Sequence, residues 1–145
     1  MLDEQQLSRV DWSPGARLPQ VAFPPLTRTT LALYAGGSGD HNPLHIDIDF
    51  ARSVAGMNDV IGQGMLTMAL AARYVTALAS PRSLRAYSLR FSGMSKVGYE
   101  LACSGRVIEI FDEDDSRCAK IEVEVTRRGG EVLANGSAVL ALDAR

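Results

Sequence analysis

The stretch that decides the fold is Gly64–Ala79, with the sequence GMLTMALAARYVTALA. Its length predicts a helix of about 24 Å at the usual rise per residue. Apolar side chains recur on every face of this helix, namely Met65, Leu66, Met68, Leu70, Ala72, Val75 and Leu78. A helix that is apolar all round is typically buried, so other elements of the chain must wrap it.

Four segments that follow this helix alternate between apolar and polar residues, a period typical of β-strands. They are Leu84–Met94, Tyr99–Phe111, Arg117–Arg127 and Glu131–Leu142. The pair Gly129–Gly130 between the last two segments indicates a hairpin. A long buried helix combined with an antiparallel sheet is an α+β arrangement. No linker divides the chain, so the sequence predicts one domain over residues 1–145.

The part of the chain before the long helix is punctuated by prolines and glycines, which favours short elements. We expect a short strand at Leu18–Ala22. A short helix should begin after Thr27 as its N-cap and end near Gly36 and Gly37, and another should cover Asp47–Val54. The acidic run Asp112–Asp115 falls between two predicted strands and is interpreted as a solvated turn, in preference to a metal site.

Charge, cysteine content and hydrophobicity exclude several classes of protein. The 15 basic and 17 acidic residues give a net charge of −2, whereas a nucleic-acid-binding domain is usually strongly basic. Cys103 and Cys118 cannot make a disulfide framework and are interpreted as buried fillers in strands. The first 20 residues contain acids and lack the apolar core of a secretory signal. The longest apolar run, Met65–Ala79, is too short to span a bilayer. We therefore expect a cytoplasmic protein with no membrane and no nucleic acid as partner.

Both histidines of the chain lie in one loop, residues 34–47, with the sequence YAGGSGDHNPLHID. The spacing of His41 and His45 resembles a pair of metal ligands one helical turn apart. Pro43 lies between them, lacks an N–H and disfavours helical geometry in the preceding residue. A metal site is therefore disfavoured, and no metal ligand is predicted.

Two other interpretations of this loop remain open from spacing alone. Asp40 and Asn42 could be turn formers that hydrogen-bond their own backbone, which would leave His45 unexplained. Alternatively, Asp40 and His45 could form an acid/base pair that converges on one water molecule from a rigid loop. An imidazole, whose ordinary pKa is about 6.5, is suited to proton transfer at neutral pH.

The loop also resembles a known family. Tyr34, Ser38–His45 and Asp47 are similar to the hydratase signature of the MaoC-like, (R)-specific enoyl-CoA hydratases, and Gly64–Met68 is similar to the start of that family's central helix. The resemblance extends from about residue 20 to the end of the chain. It implies a single hot-dog fold, an antiparallel sheet wrapped around a long central helix. The nearest resemblance is to short members, including catalytic subunits of (3R)-hydroxyacyl-thioester dehydratases.

The resemblance implies the reversible hydration of trans-2-enoyl thioesters to (R)-3-hydroxyacyl thioesters, with no cofactor. Asp40 and His45 would together hold and activate the water, and Asn42 would orient the loop or the water. The N–H of Gly64, at the positive end of the helix, would polarise the thioester carbonyl. Which of Asp40 and His45 is the acid and which the base remains open.

Four residues are predicted to contact the substrate. Gln63 occupies a position where members of the family commonly have histidine, so it can hydrogen-bond but cannot titrate. Met65 would contribute to the width of the acyl tunnel. Arg82 and Arg85 belong to a stretch, residues 60–99, that contains basic residues and no acid. Such a stretch favours the phosphates of coenzyme A or of an acyl-carrier-protein arm.

Other functions on the same fold remain as alternatives. The chain could be a subunit of a heterodimeric hydroxyacyl-thioester dehydratase or a non-catalytic hot-dog partner, although the complete pair Asp40 and His45 disfavours a passive role. A hot-dog thioesterase is disfavoured because the helix Gly64–Ala79 carries no acid. A lone hot-dog layer leaves edges to be covered, so we expect a homodimer or a heterodimer with a second hot-dog chain.

Overall fold

Residues 10–143 form five strands and three α-helices. The computed structural model describes residues 10–143. The predicted domain covers 1–145, so its two ends lie outside the described residues. The same holds for the first nine of the 20 residues that are predicted not to form a secretory signal. The strands are β1 (Arg17–Ala22), β2 (Leu84–Phe91), β3 (Leu101–Glu113), β4 (Ser116–Arg127) and β5 (Val132–Ala141). The helices are α1 (Arg28–Ser38), α2 (Ile48–Ser53) and α3 (Gly64–Leu78), with single 3-10 turns at Pro43–His45 and Pro81–Ser83.

The strands form one antiparallel sheet in the order β1-β3-β4-β5-β2. A two-residue turn joins β3 to β4, and its residues Asp114 and Asp115 have φ angles of 48° and 58°. Both side chains are exposed, so the acidic run is the solvated turn that the sequence predicts. At the next hairpin, the N–H of Gly130 donates to the carbonyl of Arg127 at 2.9 Å, which confirms the predicted turn there.

Helix α3 packs across one face of this sheet and forms the core with it. Its buried residues lie in the same apolar cluster as the inward-facing residues of β3, β4 and β5, which include Leu101, Cys103, Ile121, Val123, Val125, Leu133 and Leu140. Each fully buried valine, leucine or isoleucine contributes roughly 1.5–3 kcal/mol relative to its exposed state. This arrangement is the α+β hot-dog fold expected from the sequence.

One face of helix α3 is not covered. Met65 is 56% exposed, and Ala69 and Arg73, which follow at intervals of four residues, are also exposed. Residues spaced by four lie on the same side of a helix. A five-stranded sheet covers only the opposite side, so the prediction of a helix buried on every face is wrong for the described chain.

The short elements before helix α3 begin and end where side chains cap them. The hydroxyl of Thr27 accepts the N–H of Thr30 at 3.0 Å and begins helix α1. Gly39 ends that helix with a φ of 77°, in the left-handed region that favours glycine. The carboxylate of Asp47 accepts two N–H groups at the start of helix α2. The predicted strand and helices of this region are confirmed, with boundaries within two residues.

The two cysteines are buried in β3 and β4 as free thiols, which confirms their predicted role as fillers. Burial raises the pKa of the Cys103 thiol to about 12, because the apolar core disfavours the thiolate. Over residues 10–143, none of the helices combines the length and the hydropathy needed to cross a membrane.

Candidate active site

The loop that follows helix α1 presents Asp40 and His45 on a short, rigid path. The N–H of Asp40 donates to the Ser38 hydroxyl at 3.2 Å. Asn42 caps the 3-10 turn Pro43–His45, because its side-chain oxygen accepts the N–H of Leu44 at 3.0 Å. Asn42 is therefore a turn former, and its predicted effect on catalysis would act through the path of this loop.

The structure brings Asp40 and His45 together. The Oδ2 of Asp40 lies 3.8 Å from the Nε2 of His45, and their side chains are 39% and 12% exposed. This distance exceeds that of a direct hydrogen bond, about 2.7–3.2 Å. Two polar atoms at this separation can both contact one small polar molecule. The same loop therefore contains both the predicted turn formers and a carboxylate next to an imidazole.

A backbone carbonyl fixes the tautomer of His45. The Nδ1 of His45 lies 2.8 Å from the carbonyl oxygen of Ile61. Because a carbonyl can only accept a hydrogen bond, Nδ1 carries the proton, and a neutral imidazole then has its lone pair on Nε2. In this neutral tautomer, the nitrogen that faces Asp40 is thus a hydrogen-bond acceptor. The sequence did not predict the role of Ile61, because its contact with His45 is made by a backbone carbonyl, which every residue has.

The segment that carries Ile61 is held on two sides. The N–H of Ile61 donates to the carbonyl of Leu44 at 3.3 Å, and the N–H of Gly62 donates to the carbonyl of Ser95 at 2.8 Å. An added Cβ at Gly62 would collide with the hydroxyl of Ser95, so only glycine allows this close approach. The carbonyl that orients His45 is therefore well anchored.

A charged pair ties the same segment to helix α1. Arg28 binds Asp59 through two hydrogen bonds, of 3.0 Å from Nε to Oδ1 and 2.7 Å from Nη2 to Oδ2. These hydrogen bonds from the Arg28 guanidinium hold the pKa of the Asp59 carboxyl below its usual value. Both side chains are substantially exposed, so the pair contributes more to geometry than to stability.

Gly64 presents a free N–H at the start of helix α3. The carbonyl of Gln63 accepts the N–H groups of Leu66 and Thr67, at 3.1 and 3.3 Å, and so points into the helix. In a trans peptide the N–H points the opposite way, so that of Gly64 points away from the helix. Within residues 10–143 no acceptor is bonded to it. A helix N-terminus favours negative charge at this position.

Gln63 and Met65 flank Gly64 in very different environments. The Gln63 side chain is fully buried, and its Nε2 donates to the carbonyl of Leu31 at 3.0 Å. Met65 lies at the surface beside Gly64. The ring of Phe91 lies 3.8 Å from the position that a Cβ on Gly64 would occupy. Phe91 therefore forms a wall beside the Gly64 N–H, a placement that the sequence did not reveal.

The predicted phosphate-binding arginines lie at the far end of helix α3. Arg82 is in the 3-10 turn that follows this helix, and Arg85 is near the start of β2. The helix has 15 residues, which corresponds to about 22 Å between its ends. The described chain therefore does not bring Arg82 and Arg85 together with Asp40 and His45.

The described residues contain no group of three or more His, Cys, Asp or Glu side chains that could hold a metal ion. His41, the second histidine of the loop, is exposed, and its N–H donates to the carbonyl of Gly39 at 3.1 Å. The site itself presents the carboxylate of Asp40, the imidazole of His45 and the N-terminus of helix α3.

Comparison with known proteins identifies the family. The family described as the MaoC like domain matches residues 11–129, which is most of the chain. This chain belongs to the MaoC-like dehydratase family. No curated protein matches its sequence. The family resemblance seen in the loop and at the start of the long helix is thereby confirmed for this MaoC-like chain.

Solved structures share the fold of this MaoC-like chain. The (R)-hydratase of A. caviae, involved in PHA biosynthesis, is 26% identical with a TM-score of 0.76, over 90% of this chain and 96% of that one. The R-hydratase PhaJ1 of Pseudomonas aeruginosa is 22% identical with a TM-score of 0.79, over 96% and 86%. The HadBC (3R-hydroxyacyl-ACP dehydratase) complex of Mycobacterium tuberculosis is 14% identical with a TM-score of 0.69, over 91% and 98%.

These matches support, for the MaoC-like family as a whole, the hydration and dehydration of enoyl thioesters. In the sequence of this member, the loop with Asp40 and His45 and the helix that begins at Gly64 both lie within the matched residues 11–129. A family of hydro-lyases is consistent with a site built from a carboxylate, an imidazole and a free helix N–H.

Proposed function

We propose that this MaoC-like protein is a hydro-lyase that reversibly hydrates trans-2-enoyl-CoA to (R)-3-hydroxyacyl-CoA. The observation that carries the proposal is the pair formed by Asp40 and His45, with 3.8 Å between Oδ2 and Nε2. A carboxylate and a basic nitrogen at this separation are suited to hold one water molecule between them. Each can accept one of its two protons in a hydrogen bond.

In the hydration direction, the water oxygen attacks C3 of the enoyl group while Nε2 of His45 takes one of its protons. The Asp40 carboxylate accepts a hydrogen bond from the other proton and orients the water. The electron pair of the C2–C3 double bond moves toward the thioester carbonyl and forms an enolate. The enolate then takes a proton at C2 from the imidazolium, which restores the neutral His45. Water is fully accounted for, so no cofactor is needed.

The N–H of Gly64 would stabilise the enolate oxygen. It points away from helix α3 at the positive end of that helix, where negative charge is favoured. A donor of this kind lowers the activation barrier because it stabilises negative charge that develops on the carbonyl oxygen only in the transition state. The ring of Phe91 lies next to Gly64, and Met65 is the exposed residue that follows Gly64 in the helix. Both would contact the acyl group beside the thioester.

The substrate is proposed to be a thioester on coenzyme A, with an acyl-carrier-protein thioester as the alternative. Both carry phosphates at the end of a long pantetheine arm, remote from the acyl group. Arg82 and Arg85 lie about 22 Å from Gly64 along helix α3 and would bind those phosphates rather than the acyl group. Their side chains are exposed and so accessible to such a group.

We also propose that a second hot-dog chain completes the protein. Three large apolar side chains are exposed: Met65 (56%) in the first turn of helix α3, Phe91 (44%) at the end of β2, and Met94 (47%) just after it. β2 is an edge strand of the described sheet. Exposed apolar side chains beside an unpaired strand edge are typical of protein–protein contacts. Sedimentation of the purified chain should show a dimer; a monomer that pairs only with a different hot-dog chain would indicate the heterodimeric dehydratase.

The decisive assay follows the conjugated enoyl absorbance of crotonyl-CoA and of a longer trans-2-enoyl-CoA with the purified chain. We expect the enoyl absorbance to fall. We also expect an (R)-specific 3-hydroxyacyl dehydrogenase to oxidise the 3-hydroxyacyl-CoA product. Asp40→Asn should abolish most of the loss. Absence of turnover on both CoA substrates, by a folded chain whose dimer has been verified, would contradict the proposed hydratase activity.

A further inference from the structure

Gln63 is a fully buried polar residue that the reaction itself does not use. It is the residue before helix α3, and its backbone carbonyl accepts the first hydrogen bonds of that helix. Its side chain does not cap the helix but turns into the core, where no part of it is accessible to solvent. In the described chain it is therefore not placed to touch a substrate directly.

The side chain of Gln63 joins the two elements that carry the site. Its Nε2 donates to the carbonyl of Leu31, 32 residues away and in the first turn of helix α1. Arg28, which pairs with Asp59, is the first residue of the same helix and lies three residues before Leu31. Helix α1 leads directly to Asp40, and Gln63 leads directly to Gly64. The hydrogen bond from Gln63 thus links the supports of the carboxylate and of the carbonyl-binding N–H.

Stability alone does not account for a glutamine at this position. The Oε1 of Gln63 has no hydrogen-bond partner within residues 10–143. A buried acceptor without a partner is unfavourable. The carbonyl of Leu31 lies inside a helix whose own hydrogen-bond pattern already uses it, so loss of the Gln63 amide would not leave it unpaired. An apolar side chain of the same size would therefore fit this site without a large loss of stability.

We propose that Gln63 is a positioning residue, which sets the orientation of the Gly64 N–H relative to Asp40 and His45 through its hydrogen bond to Leu31. This inference rests on the proposed hydratase function and adds a residue to it. The bond fixes the side chain of Gln63, and hence the peptide between Gln63 and Gly64, against helix α1. Small displacements of reacting groups reduce the rate strongly. The buried Nε2 donor of Gln63 therefore matters for the position of the Gly64 N–H.

The test compares Gln63→Met, which keeps the volume and removes the donor, with Gln63→His, which keeps a side-chain N–H. The matched control is Gln20→Met on β1, where the glutamine is exposed. For Gln63→Met we expect kcat to fall by about 10–100-fold with KM within threefold, because binding of the arm and acyl group is untouched. Gln63→His should recover most of kcat, and Gln20→Met should match the parent.

A second readout does not depend on turnover. In a proton–nitrogen NMR spectrum, the amide resonances of Asp40 and His45, which are remote from Gln63 in sequence, should move in Gln63→Met and return toward their parent positions in Gln63→His. A role in stability alone would lower the melting temperature and leave kcat and these resonances unchanged in the folded enzyme.

The outcomes separate the two proposals. Turnover by the parent, together with a folded Gln63→Met whose kcat lies within threefold of it, would overturn the positioning role alone. Equal losses in Gln63→Met and Gln63→His would also overturn it, because the donor would then be irrelevant. Absence of turnover by the parent on every enoyl thioester would overturn the hydratase function, and the positioning role with it.

Discussion

The Nδ1 of His45 donates to the backbone carbonyl of Ile61 at 2.8 Å. This single bond does two things for the site. It places a proton on Nδ1 and directs Nε2 to Asp40, so that Nε2 is a hydrogen-bond acceptor when the imidazole is neutral. It also docks the Asp40–His45 loop on the segment that leads into helix α3, so that the carboxylate–imidazole pair and the Gly64 N–H share one support.

Removal of either acid/base group should abolish most of the activity. For Asp40→Asn and for His45→Asn we expect losses of about 10²–10⁴-fold in kcat, the usual contribution of a positioned acid or base. Asparagine at position 45 can still donate to Ile61, so the fold should persist. The double variant should lose little more than either single one, since the two groups act on one water.

His41→Asn provides the matched control for these variants, because His41 is the exposed histidine of the same loop. Its kcat should equal that of the parent. A folded Asp40→Asn with less than a tenfold loss would show that the carboxylate does not take part in the chemistry.

Gly64→Ala should separate folding from activity. An added Cβ would lie 3.8 Å from the ring of Phe91, an ordinary contact, so the chain has room for it. Alanine also favours a helix over glycine by about 0.5–1 kcal/mol. We therefore expect an unchanged or higher melting temperature, with kcat/KM reduced at least tenfold because the methyl group occupies the approach to the N–H.

Gly37→Ala is the control for this substitution, because Gly37 is a helical glycine of α1 with open space around it. It should keep full activity. Full activity of Gly64→Ala would instead show that the carbonyl group binds elsewhere.

Charge reversal at Arg82 and Arg85 should affect the carrier and spare the chemistry. Both lie about 22 Å from Gly64, so Arg82→Glu and Arg85→Glu should raise KM for crotonyl-CoA several-fold and leave kcat unchanged. The effect should weaken with added salt, as expected for exposed charges. Crotonyl N-acetylcysteamine, which lacks the phosphates, should be hydrated equally by parent and variants.

Arg17→Glu, on β1, is the matched charge reversal outside this stretch and should not change KM for crotonyl-CoA. The same rise in KM for both thioesters would contradict phosphate binding, as would unchanged KM values for the CoA substrate.

Cys103 should make the protein sensitive to alkaline pH. Burial raises the pKa of its thiol to about 12, from about 8.5 for an ordinary cysteine. The folded state therefore holds this proton more tightly than the unfolded state. The resulting stability is fully present below about pH 8.5 and is lost progressively as the pH rises toward 12. Melting temperatures of parent and Cys103→Ala at pH 8, 9 and 10 should converge, and parallel curves would refute this account.

Local sequence patterns were sufficient to predict most of the fold. The alternation of Ile121, Val123 and Val125 with polar neighbours predicts a strand with one buried face, and that face is the buried one. Thr27 caps its helix through its own hydroxyl, and Gly39 ends it with a positive φ. These features succeed because each depends on residues only a few positions apart.

The buried helix was predicted correctly in extent and only partly in burial. Apolar side chains on all faces of Gly64–Ala79 indicated complete enclosure, whereas Met65 is 56% exposed. Sequence periodicity reports which residues avoid water, and it does not say whether the cover comes from the same chain. The uncovered face lies beside the site, where a substrate and a second chain are proposed to bind.

Sequence alone identifies the groups that are proposed to do the chemistry, namely Asp40 and His45 on a turn-rich loop and a glycine at the start of an apolar helix. The types and spacing of these residues are local features, so the sequence is sufficient to recognise them. Tertiary structure decided how these groups are oriented. The bonds from His45 to Ile61 and from Gln63 to Leu31 span 16 and 32 residues. In both bonds the acceptor is a backbone carbonyl, a group that every residue has. The residue type of the acceptor therefore cannot predict these bonds, and only the folded chain brings donor and acceptor together.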